Sequence, residues 1–315
     1  MLVVQLKPLA SAHCFRNCIK QFLTAFVMKL RLLVGVAIIV ALFYSFKDSI
    51  AAIRFFSIEH FLLAVLAYFV LNLLLALRIH YLLGKLGLNP NFKCVFAAHL
   101  GGMIAGDVTP GRSGYLSAAK LLQPCGCSTS TAMATILAPQ GMEFIVKGFG
   151  ALLAIVYFHY SGVTAGFVVI ALGVTILILL WSRKLGRLTN ALASIPFGNY
   201  LVSMREDGIK MRNYAVQILV ISLIGWPIVG MQWYFVGLSL GMQLGFVEYF
   251  LLQPLLTAFM FVPITPAGLG IMESATVVVL YMLGIEPSIA AVFAVLTRLS
   301  GVIADLPGVY VFLTR

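Results

Sequence analysis

The sequence predicts an all-α integral membrane protein with about six spanning helices plus two re-entrant broken-helix hairpins in an inverted repeat. Three observations carry this. Of its 315 residues 62% are hydrophobic and only 10% charged, whereas a soluble domain carries about 25% charged residues. The same balance excludes a disordered chain, which needs low hydrophobicity and dense charge. Apolar runs recur at the length of a spanning helix, roughly 20 residues, and two of them are interrupted in the same way, by Thr-Pro-x-x-x-Gly.

Taken in order, residues 1–29 form a basic tail with Lys7, Arg16, Lys20 and Lys29. The apolar run that starts at Leu30 leads to no small-residue cleavage site, so the tail is expected to stay uncleaved. A single transmembrane domain is expected over 30–315, with spans near 30–46, 61–83, 132–158, 163–181, 214–240 and 288–313. Lys and Arg concentrate in cytoplasmic loops. With the N-terminus inside, Lys85, Lys93, Arg183, Lys184, Arg187, Arg205, Lys210, Arg212 and Arg315 share its side, and the opposite side receives only Lys47 and Arg54 among the loop cations. The prediction is a multi-pass protein of the cytoplasmic membrane with both termini cytoplasmic. Segment 183–212 alternates basic with apolar residues and reads as an amphipathic interfacial helix or helix pair, or as a plain loop joining two halves.

The broken segments lie within 92–123 and 247–285. The first reads Gly106-Asp107-Val108-Thr109-Pro110-Gly111-Arg112-Ser113-Gly114 and the second Val262-Pro263-Ile264-Thr265-Pro266-Ala267-Gly268-Leu269-Gly270. Pro removes a backbone donor and Gly admits positive φ, so helix cannot run through either. Broken backbone at membrane depth needs protein or a wet cavity to satisfy it. Two hairpins lining a cavity are expected, in repeats spanning about 61–158 and 214–313. The preceding helix runs inward in one repeat and outward in the other, which makes the repeat inverted. Transporters use such geometry, with half-helix N-termini turned toward anionic groups. Ordinary Pro-kinked helices with a chance match are the alternative.

Ionisable residues inside a membrane are functional candidates. Arg112, with Thr109, Gly111 and Ser113, is expected to clamp a phosphate, and Glu273, Arg298, Gly268 and Gly270 to complete a substrate site. Asp107, Glu143, Lys147 and Asp305 are the candidates for gating or ion coupling. Opposite signs at matched places in the two halves suggest pairing across the repeat. Glu143 and Lys147, four apart on one helix, could instead neutralise each other. Arg78 reads as an interfacial anchor. Gly102 and Gly106, and Gly237, Gly241 and Gly245, read as close helix contacts. Five cysteines without a His/Cys cluster read as free thiols. No metal, cofactor, catalytic constellation or nucleic-acid partner is expected.

Thr109-Pro110-Gly111-Arg112-Ser113-Gly114 with Leu121-Leu122, and Pro263 through Glu273 with its Gly-Leu-Gly, resemble the two signature loops of the lysylphosphatidylglycerol synthetase/flippase transmembrane region. The resemblance covers roughly residues 30–315 and departs at Tyr115, where the family usually has an acidic residue. It implies a bundle with re-entrant helices and a lipid flippase. Because the sequence stops just after its last expected span, it resembles stand-alone relatives without an aminoacyl-transferase domain. The expected substrate is a membrane lipid, anionic or modified, or a lipid-linked intermediate. Alternatives are a non-transporting membrane subunit, a lipid-modifying enzyme or a small-solute transporter. A biosynthetic-enzyme partner and a homodimer stay open.

Overall fold

The helices begin where local chemistry starts them. In the computed structural model, which describes residues 44, 56–159, 163–185, 198–257, 265 and 267–314, helix α1 (Ile58–Lys85) opens on Ser57, whose side chain accepts from the His60 amide, and carries Glu59 in its first turn and Lys85 in its last. Both charges oppose the helix dipole. Asn91 caps α2 (Phe92–Asp107) through Lys93 N–H at 2.9 Å, and Ser128 caps α4 (Thr129–Tyr157) through Thr131 N–H at 3.1 Å. Between them lie a 3-10 turn, the single-turn α3 (Ala118–Leu121) and a second 3-10 turn. There follow α5 (Thr164–Trp181), α6 (Gly198–Met211), α7 (Ala215–Ser239), α8 (Phe246–Thr257), α9 (Ile271–Met282), α10 (Pro287–Asp305) and α11 (Pro307–Thr314).

The described residues are all-helical, and large apolar side chains cover their outer surface as well as their core. Asn72, Arg78, His99, Gln232, Glu273 and Asp305 are buried, while Leu62, Leu66, Phe149, Phe167, Leu172 and Val220 are exposed. Large apolar side chains facing out from whole helices are stable in lipid and costly in water. Among the described residues, four helical stretches are long and apolar enough to cross a membrane: Ile58–Lys85, Thr129–Tyr157, Gly198–Ser239 and Pro287–Asp305. Gly166–Trp181, Phe246–Leu256 and Ile271–Met282 are shorter apolar helices. It is a multi-pass membrane protein.

Expected spans 61–83, 132–158, 163–181 and 214–240 fall on α1, α4, α5 and α7. The expected span 30–46 lies outside the described residues except Tyr44, as do 186–197 of the basic segment and 258–264 and 266 of the second broken segment. The expected span 288–313 is corrected: helix α10 ends at Asp305, and α11 starts afresh at Pro307 and packs on α2. Close approach is what allows this, since a Cβ on Gly308 would sit 2.3 Å from the Leu100 carbonyl oxygen. Helix α6 packs against α4 and α5 and passes through a 3-10 turn at Arg212–Tyr214 into α7. It is therefore joined to a spanning helix, with Arg205 and Asp207 turned into the protein.

The first broken segment doubles back. Residues 113–121 return along α2, so closely that a Cβ on Gly114 would lie 2.1 Å from the Ala105 carbonyl oxygen. Its two ends meet, because Cys94 and Cys125 form a disulfide with a Cα–Cα separation of 5.8 Å. That corrects the reading of these cysteines as free thiols; Cys127 is free and buried. The expected glycine contacts are sorted too. Gly102 packs on Ala118 and Gly237 on Tyr249, whereas Gly241 has nothing near it and serves a turn at φ +69°. Trp226 stacks on Phe250 with centroids 4.2 Å apart, and α7 continues through Pro227.

Candidate functional site

The two interrupted turns meet. In the first, the Thr109 hydroxyl donates to Ala105 O at 2.9 Å and accepts from Gly114 N–H at 2.6 Å, which ties the two legs of the hairpin together. Gly111 and Arg112 then take left-handed φ of 60° and 54°. In the second, Ala267, Gly268 and Gly270 are left-handed at 44°, 68° and 83°. Such values are uncommon for Arg and Ala, and neighbours must hold them. Part of that hold is mutual, since Ala267 N–H donates to Thr109 O at 2.9 Å.

Behind the second turn, Glu273 accepts from Gly270 N–H at 2.7 Å and from Arg298 Nε, and Arg298 Nη2 donates to Ala267 O at 3.2 Å. Glu273 is buried, so its charge is compatible with that place only because a cation and a backbone donor face it. The consequence changes its expected role. The amide at the start of α9 is satisfied by Glu273 itself, and Arg298 fastens the turn from α10.

A cavity of roughly 400 Å³ lies beside the turns, with walls from α1, the first turn, α4, α7 and α10. Its charged lining is Arg78, Asp107, Arg112, Glu143, Lys147 and Arg298, four basic and two acidic, and apolar side chains such as Leu71, Leu75 and Met272 fill much of the rest. Arg112 Nη2 pairs with Asp107 at 2.9 Å. Gly111 and Ser113 join it in the wall, whereas Thr109, Gly268, Gly270, Glu273 and Asp305 stand outside the lining and support it. Asp305 is buried and accepts from Asn72 Nδ2 at 2.6 Å.

Among the described residues, the ion pairs at the turns do not cross between the two expected repeats. Each ion pair at the turns stays within its own half, Arg112 with Asp107 and Arg298 with Glu273. Glu143 pairs with Arg78 at 2.6 Å, and Arg78 also donates to Ser222 at 3.2 Å. Arg78 is therefore no interfacial anchor but a buried cavity residue, at 5% exposure. In the sequence Arg78 passes for an edge residue, since it stands only seven positions before the charged end of α1 at Lys85. Asn72 and His99 give as little sign of their place. Each is a lone polar residue in an apolar run, and the only available signal was the cost of placing it there.

Comparison with curated proteins and with solved structures returned no match. The family described as Lysylphosphatidylglycerol synthase TM region matches residues 28–306. That stretch includes both interrupted turns and every charged residue of the cavity wall, and the chain belongs to this family.

Proposed function

We propose that the chain moves an anionic or modified lipid, or a lipid-linked intermediate, between the leaflets of the cytoplasmic membrane. The observation that carries this reading is the cavity, whose wall holds four basic and two acidic side chains among apolar ones. A charged lining surrounded by apolar surface suits an amphiphile, with its phosphate near Arg112 and its tails in lipid. Membership of a family with a lipid-related membrane region supports it. In this reading the chain carries its substrate unchanged, and a lipid-pathway enzyme acts beside it.

The same reading treats the two hairpins as re-entrant and the halves as an inverted repeat, with the face of Lys85 and Lys93 in the cytoplasm. The hydrogen bond between Thr109 and Ala267, which joins the two similar turns, supports that reading. A liposome assay of leaflet exchange tests the function. Wild type should move tagged anionic phospholipid or polyprenyl phosphate, while Arg112→Ala and Glu273→Gln, shown to be folded, should not. Wild-type rates in both variants would remove the site assignment. Failure of the wild type to move any lipid would leave a non-transporting subunit, a lipid-modifying enzyme or a small-solute transporter.

A further inference from the structure

Asp305 is fully buried, and only one of its oxygens is satisfied. Oδ1 accepts from Asn72 Nδ2 at 2.6 Å, whereas Oδ2 has no hydrogen-bond partner among the described residues. No Lys or Arg lies within ion-pair distance among those residues. Two states are available, and their costs differ. A neutral carboxylic acid leaves one O–H without an acceptor, the cost of a single unmade hydrogen bond. An ionised carboxylate without a cation costs far more in a low-dielectric interior.

The surroundings link this carboxyl to the cavity. Asn72 Oδ1 faces His99 Nε2 at 3.4 Å, and His99 Nδ1 faces the Tyr115 hydroxyl at 3.0 Å. With the Asn72 amide N–H donating to Asp305, Asn72 Oδ1 is left to accept from His99 Nε2–H, and His99 Nδ1 accepts from the Tyr115 hydroxyl. Every donor in the chain then points toward Asp305, and its far end, Tyr115, stands in the cavity wall. His99 is thereby held neutral with its proton on Nε2.

The charged and titratable groups facing Asp305 are few. Asp107 and its partner Arg112 act on it from the first turn, Tyr68 from α1 and Tyr115 from the return leg of the hairpin. Its own helix carries Arg298 two turns earlier, engaged with Glu273 and the second turn. Asp305 is also the last residue of α10, at the break where α11 departs to pack on α2. A charge created there would act on Arg112 and on the junction of three helices together.

We infer that Asp305 is a proton-binding site whose occupancy is coupled, through Asn72, His99 and Tyr115, to anion binding at Arg112. A proton on Asp305 leaves Arg112 to Asp107 and an incoming anion. Its loss adds a competing negative charge beside that guanidinium. The coupling rests on the transport reading above, but the proton site does not.

Infrared spectroscopy of the reconstituted protein tests the site without transport. Wild type should show a protonated-carboxyl C=O stretch at neutral pH that Asp305→Asn lacks and that Asn72→Ala keeps with a displaced pH midpoint. The same band in Asp305→Asn, or no such band in wild type at neutral pH, overturns the proposal. If Asp305→Asn does not fold, an unmoved midpoint in Asn72→Ala overturns it. Exchange of fluorescent phosphatidylglycerol under an imposed pH gradient tests the coupling. Wild-type exchange should respond to the gradient and that of Asp305→Asn should not. Exchange indifferent to the gradient in wild type overturns the coupling, and a wild-type band with no exchange of any lipid counts against the transport reading alone.

Discussion

Arg78 and Glu143 show what a buried charge requires of its neighbours. They pair at 2.6 Å with exposures of 5% and 16%, and Ser222 takes a further guanidinium donor. Glu143→Gln leaves the Arg78 charge without its counter-ion, and the expected loss of stability is about 3 kcal/mol. The measurement is the unfolding midpoint in detergent, and Arg78→Gln added to Glu143→Gln should recover part of the loss, since it removes the stranded charge. Gly114 makes a different demand. A Cβ there would meet the Ala105 carbonyl at 2.1 Å and the Thr109 hydroxyl at 2.5 Å, atoms that hold the hairpin closed. Gly114→Ala is expected to cost about 1–3 kcal/mol by forcing the legs apart. A wild-type midpoint in that variant would mean that the hairpin tolerates separation.

The first hairpin is closed at both ends. Thr109 ties it at the turn, and the Cys94–Cys125 bond ties it where it begins and ends, across a sequence separation of 31. Loop-closure entropy for that length puts the stabilisation at no more than roughly 4 kcal/mol. Cys125→Ser should accordingly lower the unfolding midpoint under oxidising conditions and leave it unchanged in reductant. The bond lies beside Lys93, on the face that the proposed function puts in the cytoplasm, a compartment that keeps thiols reduced. Its state in cells therefore tests orientation. Maleimide labelling after rapid acid quenching reads it: thiols at Cys94 and Cys125 would place this end of the hairpin in the cytoplasm, and a protected pair, the bonded state of the structure, would place it on the opposite side. The hairpin itself was legible, because Thr-Pro-x-x-x-Gly forbids continuous helix. The break at Asp305–Pro307 was equally visible as a proline, yet the apolar residues on both sides suggested one span. What ends α10 there is the chance for α11 to pack on α2, made available by Gly308 against Leu100.

Among the described residues, large apolar side chains cover the outer surface while charged ones such as Arg78 and Glu273 are buried, an arrangement that suits lipid as solvent. Leu172, 45% exposed on α5, belongs to that outer surface. Leu172→Lys should raise the apparent cost of inserting this helix by about 3 kcal/mol, read in a glycosylation-based insertion assay. Unchanged insertion would mean that this face of α5 is not in contact with hydrocarbon. The sequence by itself determined the solvent, the helical class, the places of most spans and the two turns. Composition and apolar run length depend on the bilayer and not on which helix lies beside which. Tertiary structure decided the partners: Arg112 with Asp107, Arg298 with Glu273, Arg78 with Glu143, and Asp305 with Asn72. A buried charge must find a counter-charge within a few ångströms, and that distance is set by how helices far apart in the chain pack together.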